Sequence, residues 1–328
     1  MPISFKDQAG FTPRTHCYKG NLHAHTTNSD GHLTPAQAVW MFRRHGYSFL
    51  CLSEHDRYTD LRAEFDCPEF IILPGVEASA NLVQGAEERR VKTHHIHGIL
   101  GPAALQNAAE RLFENDERLT VPTYREAWDG AGAAQSLSDF LRSRGCFTVY
   151  NHPNWSRVTP DEFIHTQGVS AVEVYNFNTV NECGTGYDTF CWDMALRTGE
   201  RLNATASDDS HNEGLFPDAL GGWICVYADE LSHEAITQAI LDGNYYSSSG
   251  PRLLDWGVRD GEVYVKTSPV ERVNLIAAGA VGLGETVIAP TAEGMVEAYF
   301  RLRGGETVLR VECTDRHGKT AWSNPLYL

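Results

Sequence analysis

Histidines and carboxylates are the residues in this chain whose types and spacing could do chemistry. Fourteen histidines occur in 328 residues, and nine of them fall between His16 and His97. Most lie beside Asp, Glu, Gly or Asn at the ends of apolar runs. In chain order the groups are His23-Ala24-His25, Asp30, His55, Glu77, His94-His95-Ile96-His97, His152, and Asp209-Ser210-His211. On a strand, residues i and i+2 share a face, so His23 and His25 can address one cation or two adjacent ones. An H-x-H pair alone is weak evidence, and Glu77 alone reads as a solvated turn residue. Gathered at one place, this many imidazoles and carboxylates would repel and desolvate one another unless cations were bound. Two or three divalent ions resolve the conflict.

Other catalytic signatures are missing. There is no G-x-x-x-x-G-K-[ST] loop, no G-x-S-x-G elbow and no H-E-x-x-H helix. His16, His45, His165, His233 and His317 read as loop or helix-surface residues. His32, two positions after Asp30, keeps some interest because its loop belongs to the same cluster.

The elements that must position these groups are legible. Thr34-Pro35-Ala36-Gln37 combines an N-cap, a proline at the first helical position and a capping-box glutamine. It predicts a helix to His45, stopped by Gly46. Residues 49–52 then form a short buried strand ending at Ser53-Glu54-His55-Asp56. Further strands are predicted over 70–73, 91–100, 146–150, 171–175, 202–206 and 223–227. Helices are predicted over 103–115, 136–144, 188–198 and 233–242. This alternation predicts a parallel α/β architecture. Seven or so strands fit a TIM-like barrel, whose strand ends converge on one mouth.

After Gly250-Pro251 the helical period disappears. Leu309, Val311 and Cys313 alternate with Arg310, Glu312 and Thr314, as in a half-buried strand. Several such runs predict a small C-terminal β-sandwich. The boundary is expected near 250, giving a domain over 1–250 and a β domain over 251–328.

Composition excludes several classes. Asp and Glu number 43 against 27 Lys and Arg, a formal charge of −16, and no basic run exceeds the pair Arg89-Arg90. General nucleic-acid binding is therefore not expected. A small anionic substrate is compatible if metal ions supply the positive charge. Eight cysteines without C-x-x-C spacing read as free thiols of a reducing compartment. Neither a leader pattern in residues 1–7 nor an 18-residue apolar run is present, so a cytoplasmic protein with no membrane partner is expected.

Taken together, the motifs resemble those of the polymerase and histidinol phosphatase (PHP) superfamily of metal-dependent phosphoesterases. The resemblance rests on Asn21-Leu22-His23-Ala24-His25 leading to Ser29-Asp30-Gly31, on the Thr34-Pro35 helix start, and on Ser53-Glu54-His55-Asp56. Gly75-Val76-Glu77, Asn151-His152-Pro153 and Asp209-Ser210-His211 continue it, over roughly residues 17–250. It implies a distorted (β/α)7 TIM-like barrel holding two or three divalent transition metal ions, Zn, Mn or Fe. Carried over to this chain, it implies ligation by His23, His25, Asp30, His55, Glu77, His152, Asp209 and His211, with Glu77 bridging ions. Glu77 and Asp209 are also the catalytic candidates. Asp208 is the second choice to Asp209, which has the D-x-H spacing.

The His-rich strand should add one more ligand. His95 and His97 share a face that His94 opposes, and His95 is taken first with His97 second. Trp155 and Arg157 are candidates for a substrate wall and a phosphate contact, with Asn176 and Asn178 beside them. The implied activity is hydrolysis of a small phosphate ester, of nucleotide or sugar phosphate type, by a metal-bridged hydroxide without a covalent enzyme intermediate. One alternative keeps the metals but attacks a carbamate, ester or amide carbonyl. The other is a non-catalytic metal-binding structural module. Two long stretches, 101–135 and 177–187, carry aromatic residues and glycines and are expected as binding loops at the mouth. Every motif precedes Gly250, so the first domain is expected to hold the full metal set unaided.

Overall fold

The protein is described by a computed structural model over residues 5–328; residues 1–4, part of the start read for a leader, lie outside the described residues. The first helix, α1 (Pro35–Arg44), begins at Thr34, whose hydroxyl accepts from the Gln37 N–H while the Gln37 side chain accepts from the Thr34 N–H. Its buried face of Ala38, Val39 and Phe42 packs on Leu50, Leu52 and Ile72 of the sheet.

The site-bearing strands are β1 (His16–Asn21), β2 (Phe49–Leu52), β3 (Ile71–Gln84), β4 (Arg89–Leu100), β5 (Cys146–Tyr150), β6 (Ala171–Asn176) and β7 (Asn203–Ser207). After them come β8 (Trp223–Ala228) and β9 (Tyr245–Ser248). The three longer later helices are α2 (Gly130–Ser143), α3 (Thr189–Arg197) and α4 (His233–Leu241). Strands β1, β2 and β3 are parallel neighbours, as are β5, β6 and β7.

The expected all-parallel arrangement does not hold. Strand β4 runs antiparallel to both β3 and β5, and β8 is antiparallel to β1 and β9. The reason is local. Strands β3 and β4 are joined by a short turn with Gly85 at φ +77°, which leaves no chain for a crossover helix, so the pair must be a hairpin. Nor does β3 stop near Glu77: residues 71–80 are buried on both faces, so no change of pattern marks an end. The helix expected over 103–115 covers only Ala103–Ala108. The chain turns extended at Ala109, which lets Phe113 bury against the Tyr58 ring at 4.8 Å.

The C-terminal strands are β10 (Leu253–Arg259), β11 (Glu262–Val270), β12 (Arg272–Gly279), β13 (Glu285–Ile288), β14 (Met295–Arg301), β15 (Glu306–Thr314) and β16 (Thr320–Ser323). Strands β10, β11 and β14 join Gln8–Ala9 in a four-stranded antiparallel sheet. Its inner residues Trp256, Val263, Val265 and Phe300 share a core with Val273, Leu309 and Val311 of the facing sheet. That facing sheet, β13-β12-β15-β16, continues into the large one because Tyr246 of β9 pairs with Ser323 of β16.

The late strands also complete the early ones. Among the described residues no ladder joins β7 to β8 or β9. Instead Asn324 Oδ1 accepts from Ala204 N at 3.0 Å, and Ser247 Oγ donates to Ala204 O at 2.8 Å. Tyr327 Oη accepts from Leu202 N at 3.2 Å, and Trp322 stacks on Tyr175 at 5.5 Å. Arg310 is buried, donates to Asp193 of α3 at 2.6 Å and lies 4.5 Å over the Trp192 ring. No helix among the described residues is long and apolar enough to cross a membrane.

Candidate metal centre

Backbone bonds at the strand ends bring the histidine and carboxylate segments side by side. Past β1, His25 N donates to Ser210 O and Asp209 N donates to His23 O, both at 2.9 Å, so 23–25 and 208–211 run together. Past β2, Glu77 N donates to Glu54 O at 3.1 Å and Asp56 N to Glu77 O at 2.9 Å, which fixes His55 against β3. Past β5, Asn151 N donates to His95 O at 3.0 Å and delivers His152. His152 (φ 23°) and Asp209 (φ 57°) both adopt left-handed backbone that non-glycine residues rarely hold.

Glu77 is the hub. Its Oε1 lies 3.2 Å from His23 Nε2, from His95 Nδ1 and from His152 Nε2. Its Oε2 lies 3.0 Å from His55 Nδ1 and 3.4 Å from His25 Nε2. Asp209 Oδ1 is 3.1 Å from His23 Nε2 and 3.0 Å from His25 Nε2. Nearer solvent, Asp30 lies 3.5 Å from both His55 Nε2 and His211 Nε2. These residues form overlapping sets: His25, Asp30, His55 and His211; His23, His25, Glu77 and Asp209; and His55, Glu77 and His95. A third histidine pair, His23 and His152, converges on Glu173.

The donor atoms fit bound cations better than a hydrogen-bonded core. His25 Nε2 and Asp209 Oδ1 are 3.0 Å apart, yet neither atom has a hydrogen-bond partner. Both nitrogens of His25 and of His95, together with His23 Nε2 and Glu77 Oε2, are likewise buried and unpartnered. Buried polar atoms are almost always hydrogen-bonded, so close approach without alignment means lone pairs aimed at shared points rather than at each other. Imidazole and carboxylate donors at such points suit divalent transition ions.

Electrostatics agree. Burial disfavours ionised Glu77, but His23, His95 and His55 hold its carboxyl well below the usual range. Burial likewise opposes the charge on Asp209, and His23 and His25 hold it well below its usual value. Burial alone would lower His25, yet Asp209 and Glu77 push it up to about 10, and His23 is raised well above its usual value in the same way. Burial takes His95 down to about 4, and it also lowers His211.

A buried polar layer stands behind the donors, and the sequence reading missed it. Asn151 Nδ2 donates to Glu77 Oε1 at 2.7 Å. Glu173 Oε1 is 3.0 Å from His23 Nδ1. Glu54 accepts from Thr26 N at 3.1 Å and Ser29 Oγ at 2.5 Å, holding the loop that carries Asp30. A glutamate inside the apolar strand Ala171-Val172-Glu173-Val174-Tyr175 was the available signal. Asp208, the second choice to Asp209, is turned away from the donors. It accepts from Asn21 and from the backbone N–H groups of Leu220, Gly221 and Gly222.

The donors open into a cleft of about 480 Å³ lined by Asp30, His55, His95, His152, Asp209 and His211, and by Arg90, Trp155, Asn178 and Glu182 on one side. Glu213, Leu215, Phe216 and Asp218 line the rest. Trp155 therefore faces the cleft as expected of a wall, its Nε1 donating to Glu182 at 2.8 Å. Arg157 does not line the cleft, whereas Arg90 does, 5.6 Å from the Trp155 ring. Asn176 is not at the substrate surface: it is fully buried, with its amide on Glu173 and Asp209, and Asn178 is the one exposed to the cleft. His97 packs edge-on against His23 at 4.2 Å and joins none of the donor sets. Of the two long stretches, only 177–187 contributes lining residues.

No family model matches the chain, and no curated protein matches it. Solved structures do align with it. A two-domain protein from Bacteroides vulgatus containing a predicted PHP-like metal-dependent phosphoesterase is 15% identical, with 99% of this chain and 98% of that one covered at a TM-score of 0.42. A candidate metal-dependent phosphoesterase from Bifidobacterium adolescentis is 14% identical, covering 62% of this chain and 90% of that one at 0.36. An amidohydrolase from Chromobacterium violaceum, with bound sulfate and no metal, is 16% identical over 69% of this chain and 96% of that one at 0.39.

Proposed function

We propose that this chain is a metal-dependent hydrolase that cleaves small phosphate esters, with two or three divalent transition ions held by His23, His25, Asp30, His55, Glu77, His95, His152, Asp209 and His211. The observation that carries the reading is Glu77. Its two oxygens face different imidazole sets, His23, His95 and His152 on one side and His25 and His55 on the other, as a carboxylate shared between cations requires. When bound, divalent ions supply an acidified water as nucleophile and neutralise charge on the phosphoryl oxygens.

The protein's own groups do the rest. Asn151 holds Glu77 by its Oε1, and the loop bonds of Glu54 keep Asp30 at the rim. Arg90 is the single Lys or Arg among the lining residues, so it is the group that contacts an anionic part of the substrate. Trp155 beside it offers an apolar wall to the leaving group. A cleft of about 480 Å³ suits a nucleotide or sugar phosphate and not duplex DNA. We also infer that the strands around the site form a distorted (β/α)7 barrel, with Ser247 of β9 and Asn324 bonding the free edge of β7. Residues up to about 250 then carry every donor, and 251–328 form an accessory β-sandwich.

The test is a panel of nucleotides, sugar phosphates, cyclic phosphates, carbonyl esters and oligonucleotides, assayed with Mn or Zn added. Phosphate release from small monoesters is expected. Turnover of carbonyl esters alone would overturn the phosphoryl assignment, and a preference for long oligonucleotides would overturn the size argument.

A further inference from the structure

Behind the donor set, one buried carboxylate and one buried amide touch three donor residues from different segments. Glu173 Oε1 is 3.0 Å from His23 Nδ1, on the side of the ring opposite the Nε2 that faces Glu77 and Asp209. Glu173 Oε2 accepts from His152 N at 3.2 Å and from Asn176 Nδ2 at 2.9 Å. Asn176 Nδ2 also reaches Asp209 Oδ2 at 3.1 Å, and its Oδ1 accepts from Thr179 N at 2.9 Å, capping the helix Phe177–Cys183. Glu173 and Asn176 are both buried, as are His23, His152 and Asp209.

We propose that Glu173 and Asn176 are positioning residues of the metal centre, joined so that β6 sets the orientation of His23, His152 and Asp209 together. The proposal rests on the metal-centre reading above. A carboxylate 3.0 Å from His23 Nδ1 favours the tautomer with its proton on Nδ1, which leaves Nε2 to present a lone pair to the donor cluster. The remaining contacts fall where the backbone needs support. His152 and Asp209 are the two donors in left-handed conformation, and each receives one arm of the relay: Glu173 on the His152 N–H, Asn176 on the Asp209 side chain.

Two variants and one measurement on the unaltered protein test this. Glu173→Gln keeps size, but its amide nitrogen must oppose either the His23 ring N–H or the paired donors of His152 and Asn176. Asn176→Ser keeps an N-cap oxygen while being too short to reach Asp209. Zinc affinity, measured by competition with a chromophoric chelator, is expected to fall about 10- to 100-fold in each. The visible spectrum of the cobalt-loaded proteins is expected to change, and circular dichroism of the metal-free proteins to stay the same. Wild-type-like affinity, within about threefold, and an unchanged cobalt spectrum in both variants would overturn the proposal. Should Glu173→Gln not fold, Asn176→Ser and the intact protein decide: nitrogen-15 NMR of the zinc-loaded wild type is expected to give His23 a slowly exchanging proton on Nδ1. An unprotonated Nδ1 there overturns it. Failure of the wild type to bind zinc removes the metal-centre reading itself and the proposal with it, an outcome separate from normal binding in the variants.

Discussion

Loading the centre with zinc should expel at least two protons per chain. In the metal-free site, Glu77 and Asp209 are buried yet held ionised, because their neighbours are imidazoles. Charge balance then places protons on those rings. Against the cost of burial, Asp209 and Glu77 raise His25 to about 10, and His23 lies well above its usual value. In the metal-free site both rings are therefore shifted toward the protonated form at neutral pH. A metal ion needs the lone pair that each of those protons occupies, so binding must release them. His152 is raised as well and adds a fraction, while His95 and His211 are lowered and contribute none. Two is therefore a lower bound.

The assay is calorimetric titration of metal-free protein in buffers of different ionisation enthalpy. The same protons set an opposite trend in stability. The raised His25 imidazole stabilises the metal-free fold fully below pH about 6.5, and that contribution disappears as pH rises through about 10, with His23 acting in the same direction. The depressed carboxylates contribute above their ordinary range and lose that contribution as pH falls through their lowered values. Melting of the metal-free protein should thus move to lower temperature between pH 6.5 and 10, while the increment given by zinc grows. Release of clearly fewer than two protons per chain at full loading would refute this reasoning.

Other outcomes are expected from single changes. Asn324→Ala leaves Ala204 N and the Gly243 and Tyr245 carbonyls without their partner, so urea unfolding should show a loss of about 2–4 kcal/mol. A chain ending at Gly250 also loses Trp322, Arg310 and Tyr327 from the same region. It should fail to retain metal, contrary to what motif positions alone imply. Glu77→Ala should lower phosphate release by about a thousandfold or more with the far-ultraviolet spectrum unchanged, since it removes the oxygens shared by five imidazoles. Arg90→Ala should raise KM by about tenfold and Arg157→Ala should leave kinetics unaltered, because Arg90 lines the cleft and Arg157 does not.

Much of the fold was legible because local signals agreed with tertiary needs. The Thr34-Pro35-Ala36-Gln37 start caps α1 as its chemistry dictates, and the apolar runs at 49–52 and 146–150 coincide with β2 and β5. The hairpin of β3 and β4 was not legible, since strands buried on both faces carry no alternation and their direction is set by a four-residue turn. The donor residues announce themselves by type. The layer behind them does not: Asn151, Asn176 and Glu54 look like ordinary strand-end residues until the chain folds, and Asn176 was read as facing substrate for that reason. Arg157 drew attention by its closeness in sequence to His152, and nothing in the sequence marks Arg90. The β3–β4 hairpin, however, is what carries Arg90 to the cleft.

The most direct test of a metal-dependent centre built on Glu77 is the number of transition ions that stay with the chain. Protein produced with Mn and Zn supplied, then passed through gel filtration, should carry about two or three ions per chain by elemental analysis. Less than half an equivalent, in protein that is folded, would contradict it.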